Sequence, residues 1–279
     1  MATGEGKGWS KGLTAATDPR IARAAAANTG KLRLRTWTRT AAERRRLFGT
    51  ATTVPIEWSP SMAYVVGLTA TDGCLLTGRR AINFKSADKD LVLTYIDLLG
   101  RTNKIVEQRT RAGRIVYHVQ FSDSRLYRWF ESIGLTPRKS LTLGALLVPP
   151  EFLASLVRGL LDGDGSISNA VWKADTSRRS DYYYEWLRVR FASASRPHLD
   201  WLKQQLSGAL GVRGWIWIDN SRTHPMGCLS YGKADSIALL SWLYADPDAP
   251  SLRRKRAIWD DYARRHPNWI VQEAASIYA

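Results

Sequence analysis

Asp72 and Asp164 each close an apolar run and each precede a glycine, in Val65-Val66-Gly67-Leu68-Thr69-Ala70-Thr71-Asp72-Gly73 and Val157-Arg158-Gly159-Leu160-Leu161-Asp162-Gly163-Asp164-Gly165. A single Asp-Gly is ordinarily a helix-ending turn. Two copies at matched positions, with a half-domain of chain between them, read instead as an internal duplication that carries two carboxylates to one place. Carboxylates at close quarters repel unless a cation shields them. Oxygen ligands suit hard divalent ions, so the pair predicts a Mg²⁺ or Mn²⁺ site.

Such a site needs two helices that approach closely. Ala63, Gly67 and Thr71 are four residues apart, as are Ser155, Gly159 and Gly163, so each motif helix carries a stripe of small side chains on one face. Glycine inside a helix costs about 1 kcal/mol relative to alanine. Its matched placement at Gly67 and Gly159 predicts backbone contact between the two helices, with their C-termini converging on the aspartates.

From Ser61 onward the chain runs twice through one order: helix, two strands, helix, two strands, helix. In the first pass the motif helix leads to strands ending at 79–86, a helix over 88–99, a hairpin at Ala112-Gly113 and a helix over 124–133. In the second, strands around Val171 and over 182–193 precede a helix over 197–210, strands over 212–219 and 227–231, and a helix over 234–244. Leu135-Thr136-Pro137-Arg138-Lys139-Ser140-Leu141 closes the first half, and Ser251-Leu252-Arg253-Arg254-Lys255-Arg256 closes the second. Three parts follow: 1–60, a basic extension; 61–150, the first repeat; 151–279, the second repeat with a C-terminal helix.

The 279 residues hold 41 Lys and Arg against 25 Asp and Glu, a net charge of +16. That excess favours a polyanionic partner, DNA or RNA, over an anionic membrane. No run has transmembrane length and the start lacks a secretory apolar core, which predicts a soluble intracellular protein, cytoplasmic, nucleoid-associated or organellar. Cys74 and Cys228 have no metal-ligand spacing and fit a reducing compartment. His118, His198, His224 and His266 are scattered and form no zinc motif. Asp162-Gly163-Asp164 does not open an EF-hand, because Ile167 and Lys173 stand where that loop needs glycine and a bidentate acid. In the extension, Asp18-Pro19 starts a short helix and Thr40 with Glu43 caps another. Lys31, Arg33, Arg35 and Arg39 between them read either as a DNA-contacting arm or as a solvated, disordered tail.

Strand parity separates two faces. Leu187, Val189 and Phe191 point one way, and Tyr184, Trp186, Arg188 and Arg190 the other. The same alternation groups Arg79, Asn83 and Lys85, then Arg114, His118 and Gln120, then Arg213, Trp215 and Trp217. Arginines and amides on such a face suit base edges and phosphates.

The two motifs resemble those of LAGLIDADG homing endonucleases in their monomeric, two-repeat form, over roughly Ser61 to Arg265. The resemblance implies an α+β fold of two pseudo-symmetric αββαββα repeats, packed through their motif helices, with an antiparallel β saddle on DNA. It implies that Asp72 and Asp164 bind metal with help from the carbonyls of Thr71 and Gly163. It places Lys139 and Lys255 near the scissile phosphates, and matches Asp88 and Ser195 to polar positions that order the nucleophilic water. The second motif is close to the family pattern; the first departs from it at Thr69-Ala70-Thr71 but keeps the last acid. The implied activity is hydrolysis of both strands of a long duplex site. Two other readings share the saddle: a splicing helper that binds group I intron RNA, and a non-cleaving DNA-binding regulator.

Overall fold

The computed structural model describes residue 14 and residues 16–28, 51–173, 183–220 and 225–267. Residues 1–45 and 46–279 form separate compact units. In the first, helix α1 (Pro19–Asn28) starts on Asp18, whose carboxylate accepts the Arg20 backbone N–H at 2.8 Å. The basic stretch at Lys31, Arg33, Arg35 and Arg39, the second short helix expected after Thr40, Tyr182 and His224 lie outside the described residues.

The second unit runs through the expected order twice. Its first pass is α2 (Pro60–Thr71), β1 (Gly73–Leu76), β2 (Ala81–Ser86), α3 (Lys89–Leu98), β3 (Val106–Arg109), β4 (Ile115–Ser122) and α4 (Ser124–Ser132). The second is α5 (Leu153–Asp162), β5 (Gly165–Lys173), β6 (Tyr183–Ser193), α6 (Arg196–Leu210), β7 (Trp215–Asp219), β8 (Met226–Ser230) and α7 (Lys233–Leu243). Helix α8 (Arg253–Arg265) follows. Each pass builds one four-stranded antiparallel sheet, in the orders β1-β2-β4-β3 and β5-β6-β8-β7. The two orders are identical, so the repetition seen along the chain is a repetition of topology.

Local chemistry fixes the helix ends. Ser59 caps α2, its hydroxyl accepting the Met62 N–H at 3.1 Å with Pro60 in the first turn. Asp123 caps α4 by accepting from the backbones of Arg125 and Leu126. Residues 51–58 lie on the first repeat: Thr52 donates to Asp123, and the Trp58 ring stands 5.1 Å from that of Trp129.

Three of the residues expected on strands lie beside them. Arg79 sits in the β1–β2 turn, where positive φ at Gly78 and Arg80 ends the pairing. Arg114 closes the β3–β4 turn, its carbonyl accepting from Thr110. Arg213 precedes β7, because its N–H is held by the Asp235 carboxylate at 3.1 Å rather than by a neighbouring strand.

Helices α2 and α5 form the spine of the core. Every residue from Met62 to Ala70 is buried, as is every residue from Ser155 to Asp162. A helix enclosed on all sides is a core helix, not a surface one. The sheets lay their apolar faces inward, with Ile82, Phe84, Val119 and Phe121 in the first and Ile167, Leu187, Val189, Phe191 and Leu229 in the second.

The spine depends on two residues with no side chain. A Cβ at Gly67 would run into the Leu156 carbonyl oxygen and stand 2.8 Å from Leu160 N. One at Gly159 would run into the Tyr64 carbonyl oxygen and stand 3.0 Å from Gly67 Cα. These obstacles are backbone, which cannot rotate away. Gly67→Ala and Gly159→Ala should each destabilise the fold by about 2–3 kcal/mol in denaturant melts. Gly208→Ala, on α6 with open space around it, should be neutral or stabilising by up to about 1 kcal/mol.

Candidate metal centre and nucleic-acid face

Because α2 and α5 touch at Gly67 and Gly159, their C-termini meet one turn later. A Cβ at Gly163 would collide with the Thr71 side chain, so the residues before the two aspartates are in contact. Asp72 ends α2 with its N–H on the Leu68 carbonyl, and Asp164 follows the Gly163 cap of α5. Neither carboxylate makes a hydrogen bond or ion pair among the described residues. Burial pushes the Asp72 carboxyl up to about 7, with the charge of Asp164 adding to the shift. Burial raises Asp164 as well, against the attraction of Lys139 and Lys255. No third His, Cys, Asp or Glu among the described residues completes a cluster with them.

Both lysines sit beside these acids, and both are buried. Lys139 Nζ donates to the Gly73 carbonyl at 2.7 Å and to the Thr71 carbonyl at 3.4 Å. Lys255 Nζ lies among the carbonyls of Leu161, Asp162, Gly163 and Gly165, at 2.6 to 3.2 Å. Each ammonium thus clamps the C-terminal end of one motif helix, where unpaired carbonyls and the helix dipole favour a cation. Burial pulls Lys255 down to about 8 and lowers Lys139, with the aspartates opposing both shifts. Two acids and two lysines are therefore gathered on one pair of helix ends. A pocket of about 310 Å³ opens beside them, lined by Thr71, Lys139, Ser140 and Asp164 on one side and by Ala192, Ser193 and Met226 on the other.

The other two expected water-ordering residues part ways. Asp88 stands before α3 and is held by Arg254 in a two-oxygen ion pair at 2.9 to 3.3 Å, which links the repeats. Ser195 is fully buried and its hydroxyl donates to the Leu143 carbonyl, so it does not face the acids.

Two charged residues of α5 are structural in a way that the motif reading missed. Asp162 Oδ2 accepts from Tyr64 Oη and from the Leu252 N–H, each at 2.8 Å, joining α2, α5 and the start of α8. Arg158 donates to the carbonyls of Leu243 and Pro250 and to Ser155 Oγ. An arginine in the middle of an otherwise apolar helix was the available signal, since a buried guanidinium must find acceptors.

The sheet faces follow parity. Asn83 lies opposite Gln120 and Lys85 opposite His118, on the side away from Phe84 and Val119. In the second sheet Arg190, Ser230 and Trp215 form one row, with Arg188, Trp186 and Tyr184 further along β6 and Trp217 two residues along β7. The Arg188 guanidinium lies 4.2 Å over the Trp186 ring. Arg79, Arg114 and Arg213 are in the flanking turns. Among the described residues no helix is long and apolar enough to cross a membrane.

Residues 59–134 match a family model described as a LAGLIDADG-like domain. No curated protein matches the chain. The solved meganuclease I-SmaMI, bound to uncleavable DNA with a TTGT central four, is 13% identical, with 79% of this chain and 95% of that one aligned at a TM-score of 0.50. Mesophilic variants of the homing endonuclease I-DmoI are 18% identical over 72% of this chain and 97% of theirs, at a TM-score of 0.47. Full-length DUF199/WhiA from Thermatoga maritima is 15% identical over 77% of this chain and 63% of its own, at a TM-score of 0.45. At these identities the I-SmaMI likeness is one of fold. The family match thus covers the first repeat, and the chain as a whole, with two motif helices crossing on glycine and one sheet topology built twice, is similar in fold to I-SmaMI.

Proposed function

We propose that this chain is a site-specific homing endonuclease that acts as a monomer, hydrolysing both strands of a long duplex DNA target with Mg²⁺ or Mn²⁺ held between its repeats. The observation that carries the reading is the gathering of Asp72 and Asp164, without partners among the described residues, at the meeting of the motif helices. A surface that only binds phosphate gains nothing from buried acids at its centre, because they repel the ligand and strain each other.

The donors fit a hard cation. Two carboxylates supply the charge, and the Thr71 and Gly163 carbonyls stand at the same helix ends, their bonds from Lys139 and Lys255 long enough, at 3.4 and 3.2 Å, to leave acceptor capacity. Bound there, divalent ions would activate water and stabilise the leaving 3′ oxygen. Lys139 and Lys255 hold positive charge beside the acids and offset the charge that grows on the phosphates. With their hydrogen bonds given to backbone, they act mainly through their field. Asp88, fixed by Arg254, is the group positioned to order water on the first repeat, whereas the Ser195 hydroxyl is turned to Leu143. Asn83, Lys85, His118, Gln120, Tyr184, Trp186, Arg188, Arg190, Trp215 and Trp217 face the duplex, with Arg79, Arg114 and Arg213 reaching from the turns.

Genomic DNA from a host lacking the coding element, incubated with the protein and Mg²⁺, should break recurrently at one long site. Asp164→Asn should lower cutting by about a thousandfold while duplex binding and the melting temperature hold. Cutting that survives the substitution would overturn the assignment, and tight binding with no cutting by the natural chain would favour the regulator. Duplex affinity should fall about a thousandfold or more between roughly 50 and 200 mM salt.

The acids also set a pH dependence. An aspartate held near 7 in the folded chain binds its proton more tightly than when unfolded, so without cation it costs stability as pH rises from about 4 to 7. Cation binding must displace that proton. Mg²⁺ should therefore raise the melting temperature more at pH 8 than at pH 5.5, and the increment should shrink in Asp72→Asn.

A further inference from the structure

The outer face of the second sheet exposes a group of aromatic rings. Trp172, Tyr184, Trp215 and Trp217 are 47%, 45%, 44% and 42% exposed. Register puts them on one face: Trp172 lies opposite Tyr184, and Trp215 shares a row with Arg190 through Ser230. The Trp172 and Tyr184 rings are stacked, centroids 5.8 Å apart at 25°. Arg188 spans the space between the ring groups, its guanidinium 4.2 Å from the Trp186 ring and 5.7 Å from that of Trp215. In the first sheet Asn83 and Gln120 hold the places of Arg190 and Ser230, and Val106, opposite His118, stands where Trp217 stands opposite Cys228, so the two faces carry different side chains.

Bases in a duplex are stacked on each other and present only their edges and methyl groups to a groove. The flat face of a base becomes available when it is unpaired, and it then stacks on aromatic side chains whatever its identity. Guanidiniums set among such rings supply phosphate contacts without covering the rings. The platform also begins at the acidic pair, since β5 starts directly after Asp164 and Trp215 shares the row of Ser166, two residues from Asp164.

We infer that the outer face of the second sheet binds single-stranded DNA, stacking unpaired bases on Trp215, Trp217, Trp172 and Tyr184 while Arg188 and Arg190 take the phosphates. This goes beyond duplex cleavage and does not require it, because the platform contains none of the metal-binding groups.

The test is fluorescence anisotropy of labelled strands with the full chain in EDTA at one salt concentration, comparing oligo(dT), an abasic strand of equal length, a duplex, and oligo(U) RNA. Oligo(dT) should bind at least about tenfold more tightly than the abasic strand, which keeps the phosphates and lacks the rings. Trp172→Ala and Trp215→Ala should each weaken oligo(dT) binding about tenfold, with Trp172→Phe restoring most of it and Trp172→Ala, at a residue outside the duplex contacts, leaving duplex binding little changed. Equal binding of the abasic strand would overturn the inference, as would alanine variants that leave oligo(dT) binding intact. Equal loss of duplex and single-strand binding in Trp172→Ala would make the rings groove contacts, and tighter binding of oligo(U) would make RNA the ligand; both also overturn it. Melting curves check the fold, and if Trp215→Ala melts early, the more exposed Trp172→Ala decides.

Discussion

Backbone meets backbone at Gly67 and Gly159, and the rest of the molecule is arranged around that contact. A methyl group on either residue would collide with a carbonyl oxygen of the other helix. The closeness brings Thr71 against Gly163 and so delivers two aspartates to one place. Both sheets then hang from the ends of the crossing helices, β1 starting at Gly73 and β5 at Gly165. Separation of the helices by even one ångström would move the acids and the faces together, since interiors this dense do not deform continuously.

The charges at the helix ends are mutually dependent. Burial alone works against all four, raising the two acids and lowering the two lysines. Their nearness works the other way, because each lysine favours the ionised form of the acids and each acid favours the ammonium. The lysines remain buried because they satisfy carbonyls that the helix ends would otherwise leave unpaired. Helix termination and site electrostatics are thus served by the same two side chains.

The fold was legible because its evidence is repetitive: a duplicated small-residue stripe, two matched acids and an order of elements met twice. The apolar positions of β2, β4 and β6 alternate as sheet burial requires, which also placed Asn83, Gln120, Arg188 and Arg190 on one kind of face. What stayed hidden depends on partners far along the chain. A serine before a helix looks the same whether it meets water or, as Ser195 does, a carbonyl 52 residues away. The reach of Lys255 Nζ into four carbonyls around Asp162 has no local signature either. Arg79 and Arg213 were displaced from strands by turn conformation and by a side-chain acceptor, Asp235, neither of which alternation records.

The hydrogen bond from Tyr64 to Asp162 lies between the two motif helices, yet it has no mirror image. With Gly67 matched to Gly159, the counterparts of Tyr64 and Asp162 are Leu156 and Ala70, which carry no polar side-chain atom. The halves have become a lock and a key. Two first halves would leave Tyr64 without its acceptor, and two second halves would bury a pair of carboxylates against leucine. The chain is in effect an obligate heterodimer on one polypeptide, so that shuffling either half into a new partner works only when the tyrosine and the acid travel to opposite sides.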